Sequence, residues 1–208
     1  MKIGFLHTAQ VHVGTFDAFL EGTGVTAIHH VDADLLARAQ TAGLDAVRRD
    51  AHNAVAKLEH THAVVCTCST LGPLMDPEHV LRIDKPAFDH AITLGPRILI
   101  VICLESTSAP SEALLADCAQ TAGVEVTPNT LICAAAWPCF ETGDMDAFNT
   151  TIAHNVRNAC NTETYDSVIL AQASMAGAAR LLRDLNAPVL TTPHMAVQAA
   201  IAAAKTRA

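Results

Sequence analysis

Positive charge is scarce in this sequence, and it is scattered. The 208 residues include 13 Lys and Arg against 21 Asp and Glu, which gives a formal net charge of -8 at pH 7. Because the cations occur singly, they form no basic stripe for phosphates, and we expect no nucleic-acid partner. The expected partners are small molecules and further copies of the chain, as a homodimer or a higher homo-oligomer.

Long apolar runs are also missing. No stretch reaches the roughly 18 apolar residues that cross a bilayer, so we expect no membrane partner. The N-terminus has neither the basic region nor the cleavage site of a signal peptide, and we therefore expect a cytoplasmic protein. Hydrophobic residues make up 50% of the chain, which is enough for the core of one α/β domain or of two small lobes.

The seven cysteines show no disulfide framework. An odd number in a chain without an export signal predicts reduced thiols that pack as small apolar groups. A metal site is the alternative, because Cys66 and Cys68 lie close together and several histidines are nearby in sequence. Structural zinc sites use wider cysteine spacings that occur in pairs, and no second pair follows. The sequence therefore predicts no metal site.

Strand-like apolar runs alternate with helix-periodic segments along the whole chain. The runs span residues 2–7, 25–31, 62–68, 97–104, 124–132, 167–172 and 188–192. Helices are predicted to begin near Asp84, Ser108 and Pro193, and Gly95 and Gly123 are expected to end the first two. Continuous apolar strands that alternate with helices predict an α/β fold with parallel sheets flanked by helices.

The chain also reads as two similar halves. KIGFLHT has a counterpart in RILIVICLEST, and VVCTCST has one in VILAQAS, so Cys68 and Gln172 stand half a chain length apart. We therefore predict two similar lobes related by a pseudo-twofold axis, residues 1–95 joined by the C-terminal helix 193–208, and residues 96–192. Ligands of open α/β sheets bind at the carboxyl ends of the strands, which places the expected active site in the cleft between the lobes.

Cys68 follows the third strand-like run and precedes two hydroxyl side chains, Ser69 and Thr70. A turn at the carboxyl end of a central strand points backbone N–H groups and hydroxyls toward the cleft, which predicts an anion site with a thiol beside it. A helix N-terminus is expected to follow this turn. Such a terminus favours the thiolate, so Cys68 is predicted to act as a base or nucleophile.

Three segments resemble the aspartate/glutamate/hydantoin racemase superfamily. They are VVCTCSTLG, RIDKPAFDHAITLGPRILIV with LEST, and VILAQASMAGAARLL followed by PVLTTP. The resemblance covers essentially the whole chain and implies two α/β lobes, a small carboxylate substrate and no cofactor. In that family one cysteine removes a proton from the carbon next to a carboxylate, and a second cysteine returns one on the opposite face. The first family motif falls on Cys68, Ser69 and Thr70, which implies that Cys68 is catalytic.

The second family motif departs from the pattern, since Gln172 stands where the family has its second cysteine. Glutamine does not exchange a proton at neutral pH, although its amide can bind a carboxylate oxygen. His7 is therefore the candidate for a replacement second base. The resemblance implies these substrate-binding residues: His7, Thr8, Ser69, Thr70, Thr107, Gln172, Ala173 and Ser174.

Three functions follow from these residues. The first is a cofactor-independent racemase- or epimerase-like isomerase that acts at the α-carbon of a small carboxylate, with Cys68 as acid and base. The alternatives are a single-cysteine decarboxylase or lyase of the same superfamily, and a non-catalytic carboxylate-binding protein. A lowered thiol pKa at Cys68 is expected of an enzyme and is not needed by a binder.

Overall fold

The structure is a computed structural model that describes residues 1–207. The chain forms two compact units, one made of Met1–Pro86 and the chain from Pro193 onward, the other of Ala87–Thr192. The domain boundaries expected from the sequence, residues 1–95 with 193–208 and residues 96–192, stay predictions. No helix among the described residues is both long and apolar enough to cross a membrane.

Four parallel strands form the sheet of the first unit, in the order β2-β1-β3-β4. Its elements in chain order are β1 (Lys2–His7), α1 (Val11–Leu20), β2 (Thr26–Val31), α2 (Ala33–Ala42), α3 (Arg48–Ala56), β3 (Ala63–Cys66) and β4 (Val80–Arg82). Short 3₁₀ helices span Leu44–Val47 and Gly72–Leu74. Helix α4 (Lys85–Leu94) leads into the second unit, and α8 (Thr192–Thr206) returns to the first.

The second unit repeats this topology with the strand order β6-β5-β7-β8, again all parallel. Its elements are β5 (Arg97–Ile102), α5 (Ser108–Ala122), β6 (Thr127–Ile132), α6 (Trp137–Glu141), α7 (Met145–Thr162), β7 (Ser167–Leu170) and β8 (Val189–Thr191). Further 3₁₀ helices span Glu105–Thr107, Ala134–Ala136 and Ala173–Leu182. The predicted α/β class, with parallel sheets flanked by helices in two similar lobes, is confirmed.

Alternation along the central strands sends side chains to both faces of each sheet, and both faces are covered. In β1, Leu6 packs into a core that includes Leu35 of α2 and Val55 of α3. Phe5 and His7, its neighbours in sequence, point to the other face and contact Phe16 of α1. The central strands are apolar on both sides for this reason. Polar side chains such as Thr8, Ser69 and Thr70 follow the carboxyl ends of these strands.

The strands end earlier than the sequence predicts. β3 ends at Cys66 and β7 at Leu170, so that Cys68 and Gln172 lie two residues beyond the strand ends. Strand β4 was not predicted from the sequence. It has three residues, which is shorter than the usual strand of about 5–6 and gives too few positions for a period-two pattern.

Gly95 ends α4 and turns the chain into β5 in a conformation that favours glycine, with φ at 148°. A Cβ placed on this residue would lie 2.6 Å from the Asp166 carboxylate carbon. That carboxylate accepts hydrogen bonds from the backbone N–H of Arg97 at 2.9 Å and from its Nη2 at 2.7 Å. The close approach at Gly95 therefore allows Asp166 to tie the start of β5 to the start of β7.

We expect Gly95→Ala to lower the free energy of unfolding by about 1–3 kcal/mol, because alanine must adopt a strained φ and displace Asp166. Gly14→Ala is the matched control. Gly14 lies in α1, and nothing lies within 4 Å of its added Cβ. That change should raise the free energy of unfolding by about 0.5–1 kcal/mol. Urea denaturation followed by circular dichroism measures both, and similar effects of the two substitutions would contradict this account of Gly95.

Candidate active site

Cys68 lies at the carboxyl edge of the first sheet and is 8% exposed. The Thr8 hydroxyl and the backbone N–H groups of Thr70 and Leu71 act on its sulfur as hydrogen-bond donors that lower the pKa of the thiol, and the Leu71 N–H is shared with the Cys68 carbonyl. Donors that converge on one sulfur stabilise its charged form over its neutral form. These donors at the strand end therefore offset part of the cost of burying a thiolate.

The turn after Cys68 differs from the predicted one. The chain makes successive tight turns, in which the Leu71 N–H donates to the Cys68 carbonyl at 3.2 Å and the Gly72 N–H donates to the Ser69 carbonyl at 3.1 Å. The helix that follows the turn is a 3₁₀ helix of three residues, Gly72–Leu74, and not the α-helix that the predicted helix N-terminus requires. Ser69 and Thr70 are both buried beside it.

Burial raises the pKa of the Cys68 thiol above its ordinary value, although the hydrogen bonds from Thr8, Leu71 and Thr70 act in the opposite direction. The Asp84 carboxylate raises this pKa further. Burial outweighs the donors because a thiolate loses more hydration than a thiol when it leaves water. The sequence-based expectation of a favoured thiolate is thus corrected, and Cys68 is a neutral thiol at pH 7. The lowered thiol pKa expected of an enzyme from the sequence is not found, so this pKa does not separate an enzyme from a carboxylate-binding protein.

A buried ion pair between Arg82 and Asp84 packs against the turn that follows Cys68. Asp84 is fully buried, and its two carboxylate oxygens accept hydrogen bonds from Arg82, at 3.0 Å from Nε and 2.9 Å from Nη2. The guanidinium packs against Gly72, where an added Cβ would lie 2.5 Å from Nε. Only glycine leaves room for this contact. The pair therefore fixes the position of the turn and places a negative charge near the thiol.

His7 lies at the end of β1 and is fully enclosed. Its Nδ1 is 2.8 Å from the Thr67 hydroxyl oxygen, and its Nε2 is 2.8 Å from Nδ1 of His29. The Thr67 hydroxyl donates its single proton to the Leu6 carbonyl at 2.9 Å, so it must accept from His7 Nδ1. His7 Nε2 then accepts from His29, whose other nitrogen lies 3.0 Å from Asp17.

This chain of hydrogen bonds occupies both ring nitrogens of His7. The pKa of His7 is lowered to about 3, mainly by burial and in addition by the nearby His29 and His12 rings. Burial also lowers the pKa of His12 to about 4. Both rings are therefore neutral in the folded protein at pH 7. That His7 binds substrate, or acts as a second base, stays a prediction.

The second unit has an equivalent strand end. Ladder pairing ends at Leu6 with Cys66 in the first unit and at Val101 with Leu170 in the second. Two positions beyond these ends stand Thr8 and Cys68 in the first unit, and Cys103 and Gln172 in the second. Gln172 therefore occupies, within its own unit, the place that Cys68 occupies in the other.

Gln172 is held by backbone donors. Its Oε1 accepts a short hydrogen bond from the N–H of Cys103 and a second one, at 3.3 Å, from the N–H of Leu104. Because both partners are donors, the oxygen and not the nitrogen of the amide must face them. Burial raises the pKa of the Cys103 thiol to about 12, so this neighbour is also neutral.

The structure groups the predicted site residues within each unit. Thr8, Cys68, Ser69 and Thr70 lie together at the first strand end, whereas His7 points to the opposite sheet face from Leu6. In the second unit, Ala173 and Ser174 begin the 3₁₀ helix after Gln172, and Thr107, which is 1% exposed, ends the 3₁₀ helix after Leu104. Their role as binding residues, and the cleft between the lobes, stay predictions.

Sequence reasoning missed the ion pair and the histidine chain. Asp84 was interpreted only as the residue before a helix, and Arg82 belongs to the strand that was not predicted. Within residues 1–207, no group of three or more His, Cys, Asp or Glu side chains is arranged to hold a metal ion.

Comparison with known proteins gives matches in structure only, since no protein-family model and no curated protein matches the chain. An aspartate racemase from Picrophilus torridus superposes with a TM-score of 0.73 at 15% identity, over 98% of this chain and 94% of the other. A glutamate racemase from Bacillus anthracis gives 0.72 at 13% identity, over 98% and 81%. A mutant arylmalonate decarboxylase in a sulfate-associated form gives 0.66 at 15% identity, over 100% and 95%.

The chain shares the fold of these aspartate racemase, glutamate racemase and arylmalonate decarboxylase structures. The resemblance seen in three sequence segments is thereby confirmed for the fold. In this fold, Cys68 and Gln172 lie two residues beyond the carboxyl ends of β3 and β7.

The buried His7 and His12 rings predict that the folded protein loses stability at acid pH. The folded pKa values of about 3 for His7 and about 4 for His12 lie below the ordinary value of 6.5. Below pH 6.5 the unfolded chain therefore binds protons that the folded chain does not. The free energy of unfolding should fall by about 1.4 kcal/mol per pH unit for each ring between pH 6.5 and its folded pKa.

Urea denaturation at several pH values from 7.5 to 4.5 measures this slope. His7→Gln should make the slope shallower by the contribution of one ring, whereas His60→Gln, on an exposed position, should leave it unchanged. Equal slopes for the parent protein and His7→Gln would show that His7 is protonated in the folded state.

The buried ion pair predicts a directional effect on Cys68. Asp84→Asn removes a negative charge and leaves Arg82 positive, so the pKa of the Cys68 thiol should fall. The pH dependence of Cys68 alkylation by iodoacetamide, read by peptide mapping, should shift to lower pH. Asp76→Asn, on an exposed residue further along the same loop, should cause no shift.

Loss of one partner from a buried pair costs about 3–5 kcal/mol, so folding is checked by circular dichroism. The double variant Arg82→Gln with Asp84→Asn removes both charges and should shift the alkylation profile less than the single variant. An unchanged or upward shift in folded Asp84→Asn would refute the electrostatic role of the pair.

Proposed function

We propose that this protein catalyses proton transfer at the α-carbon of a small carboxylate, without a cofactor, and that Cys68 is the acid and base. A racemase- or epimerase-like isomerase is the first candidate. The observation that carries the proposal is the convergence of three donors, from Thr8, Thr70 and Leu71, on the sulfur of Cys68. A buried cysteine that only packed would not need three partners for its charged form.

An isomerase cycle starts from the minor thiolate form of Cys68, which the thiol reaches by releasing its proton to water. The thiolate takes the proton from the α-carbon, the electron pair of the C–H bond moves into the carboxylate as an enediolate, and an S–H bond forms. The cycle closes when this S–H returns a proton to the α-carbon and leaves the thiolate again. General acid–base catalysis of this kind contributes about 10²- to 10⁴-fold in rate.

An enediolate needs stabilising donors besides a base, since acid–base catalysis alone does not overcome the barrier. The hydroxyls of Ser69 and Thr70 are buried next to Cys68 and are the proposed donors in the first unit. Thr8 donates to the sulfur itself, so we assign it to the thiolate. Support for a carboxylate substrate also comes from the fold, which this chain shares with racemases named for aspartate and glutamate.

A one-thiol decarboxylase or lyase is the second candidate, favoured by Gln172. This residue holds the place in the second unit that Cys68 holds in the first, and its amide does not exchange protons. Decarboxylation needs only one proton: the C–C bond to the leaving carboxylate breaks, CO₂ departs, and the Cys68 thiol protonates the enediolate. A decarboxylase is among the proteins that share the fold.

The test is a screen of α-amino acids and α-substituted malonates in D₂O, followed by NMR and chiral chromatography. An isomerase should introduce α-deuterium and form both enantiomers. A one-thiol decarboxylase should give a deuterated product of one configuration. Cys68→Ala should lower either rate by at least about 10²-fold, whereas Cys66→Ala, at the neighbouring buried thiol, should stay within tenfold of the parent rate.

Turnover that survives Cys68→Ala would contradict the assignment of the acid and base. Binding of a carboxylate without any deuterium exchange would replace the enzyme by the third possibility, a carboxylate-binding protein. Homo-oligomer formation and a cytoplasmic location stay predictions from the sequence.

A further inference from the structure

Two consecutive backbone N–H groups converge on one oxygen at the end of β5. They belong to Cys103 and Leu104, and the oxygen is Oε1 of Gln172. Leu104 is extended, so the two groups are not a helical nest, but two N–H groups that share one acceptor oxygen can donate to a carboxylate oxygen in the same way. In this protein the acceptor is a neutral side chain of the same unit, which reaches there from the end of the neighbouring strand β7.

The amide oxygen of Gln172 accepts hydrogen bonds as a carboxylate oxygen does, but it carries no net charge. Hydrogen bonds from backbone N–H groups to a carboxylate are roughly twice as strong as those to a neutral amide. A carboxylate oxygen therefore competes well for the N–H groups of Cys103 and Leu104. Gln172 is half-buried and sits on an extended residue at the start of a 3₁₀ helix, where its side chain can leave without unfolding a strand.

We propose that Gln172 is an internal ligand, whose amide oxygen occupies a two-N–H pocket that accepts a carboxylate oxygen of a bound small acid. The pocket is made of backbone, so its donors are present in every variant of the side chain. This inference rests on the proposed function for the class of ligand, and it names two backbone donors within the second unit.

The inference reverses the role that the sequence implies for Gln172. If Gln172 itself binds the carboxylate, removal of its side chain weakens binding. If Gln172 competes with the carboxylate, removal of its side chain strengthens binding, because the ligand no longer has to displace it. A net hydrogen-bond contribution of ordinary size corresponds to a gain in affinity of roughly three- to tenfold.

The experiment is a titration of ¹⁵N-labelled protein with sodium malonate at constant ionic strength. The amide resonances of Cys103 and Leu104 report binding at the pocket itself. In Gln172→Ala they should respond at roughly three- to tenfold lower malonate concentration than in the parent protein. Gln120→Ala, at an exposed glutamine of α5, should match the parent.

A second substitution, Gln172→Glu, places a tethered carboxylate in the pocket. It should abolish the response of both amides to malonate while the spectrum stays that of a folded protein. This variant also covers the case in which Gln172→Ala fails to fold, because it keeps the length and the acceptor of the original side chain.

Two results would overturn the inference: weaker malonate binding in Gln172→Ala at these amides, or no response of the two amides in any variant. The titration is repeated in a Cys68→Ala background, where the same gain is expected. If that gain appears but no substrate exchanges deuterium, the pocket stands and the proposed function fails. If deuterium exchange occurs while the two amides stay silent, the pocket fails and the proposed function stands.

Discussion

The chemistry proposed for the first unit depends on the burial of the Cys68 thiol at a strand end. Burial raises the pKa of this thiol, and three nearby hydrogen-bond donors lower it by a smaller amount. A thiol in that balance is neutral at rest and can hold charge for a short time. Such a thiol is better suited to donate a proton than to act as a nucleophile, which has to be a thiolate.

The turn around Cys68 depends on residues that carry no chemistry of their own. The fork between Arg82 and Asp84 is buried, and the guanidinium lies against Gly72 in the space that a side chain would fill. Loss of either charge leaves the other uncompensated in a low-dielectric setting. The position of the sulfur, and the charge that it feels, are therefore set by the end of β4.

The two units share a topology but differ in what stands at their strand ends. In the first, a hydroxyl from the end of β1 donates to a thiol beyond β3. In the second, backbone donors at the end of β5 bind an amide beyond β7. The same topology thus places a thiol at the strand end of one unit and an amide, which cannot exchange protons, at the strand end of the other.

The fold class could be predicted from the sequence, and so could the position of Cys68, Ser69 and Thr70 after the third strand. Apolar runs and turn residues indicate local structure directly. The three-residue β4 could not, since it is too short to show a pattern. The raised pKa of Cys68 was also out of reach, because burial is set by residues distant in sequence. For the same reason the sequence did not show that His7 faces His29, or that Gln172 faces two backbone donors.

The central claim is that Cys68 is a neutral thiol at rest, because burial raises its pKa more than the nearby donors lower it. Thiolate absorbance near 240 nm, recorded against pH as the difference between the parent protein and Cys68→Ala, measures this directly. The account predicts no step for Cys68 below pH 9.0, the ordinary thiol value above which its pKa lies. A step below pH 9.0 would show that the pKa of Cys68 is not raised and would contradict the account.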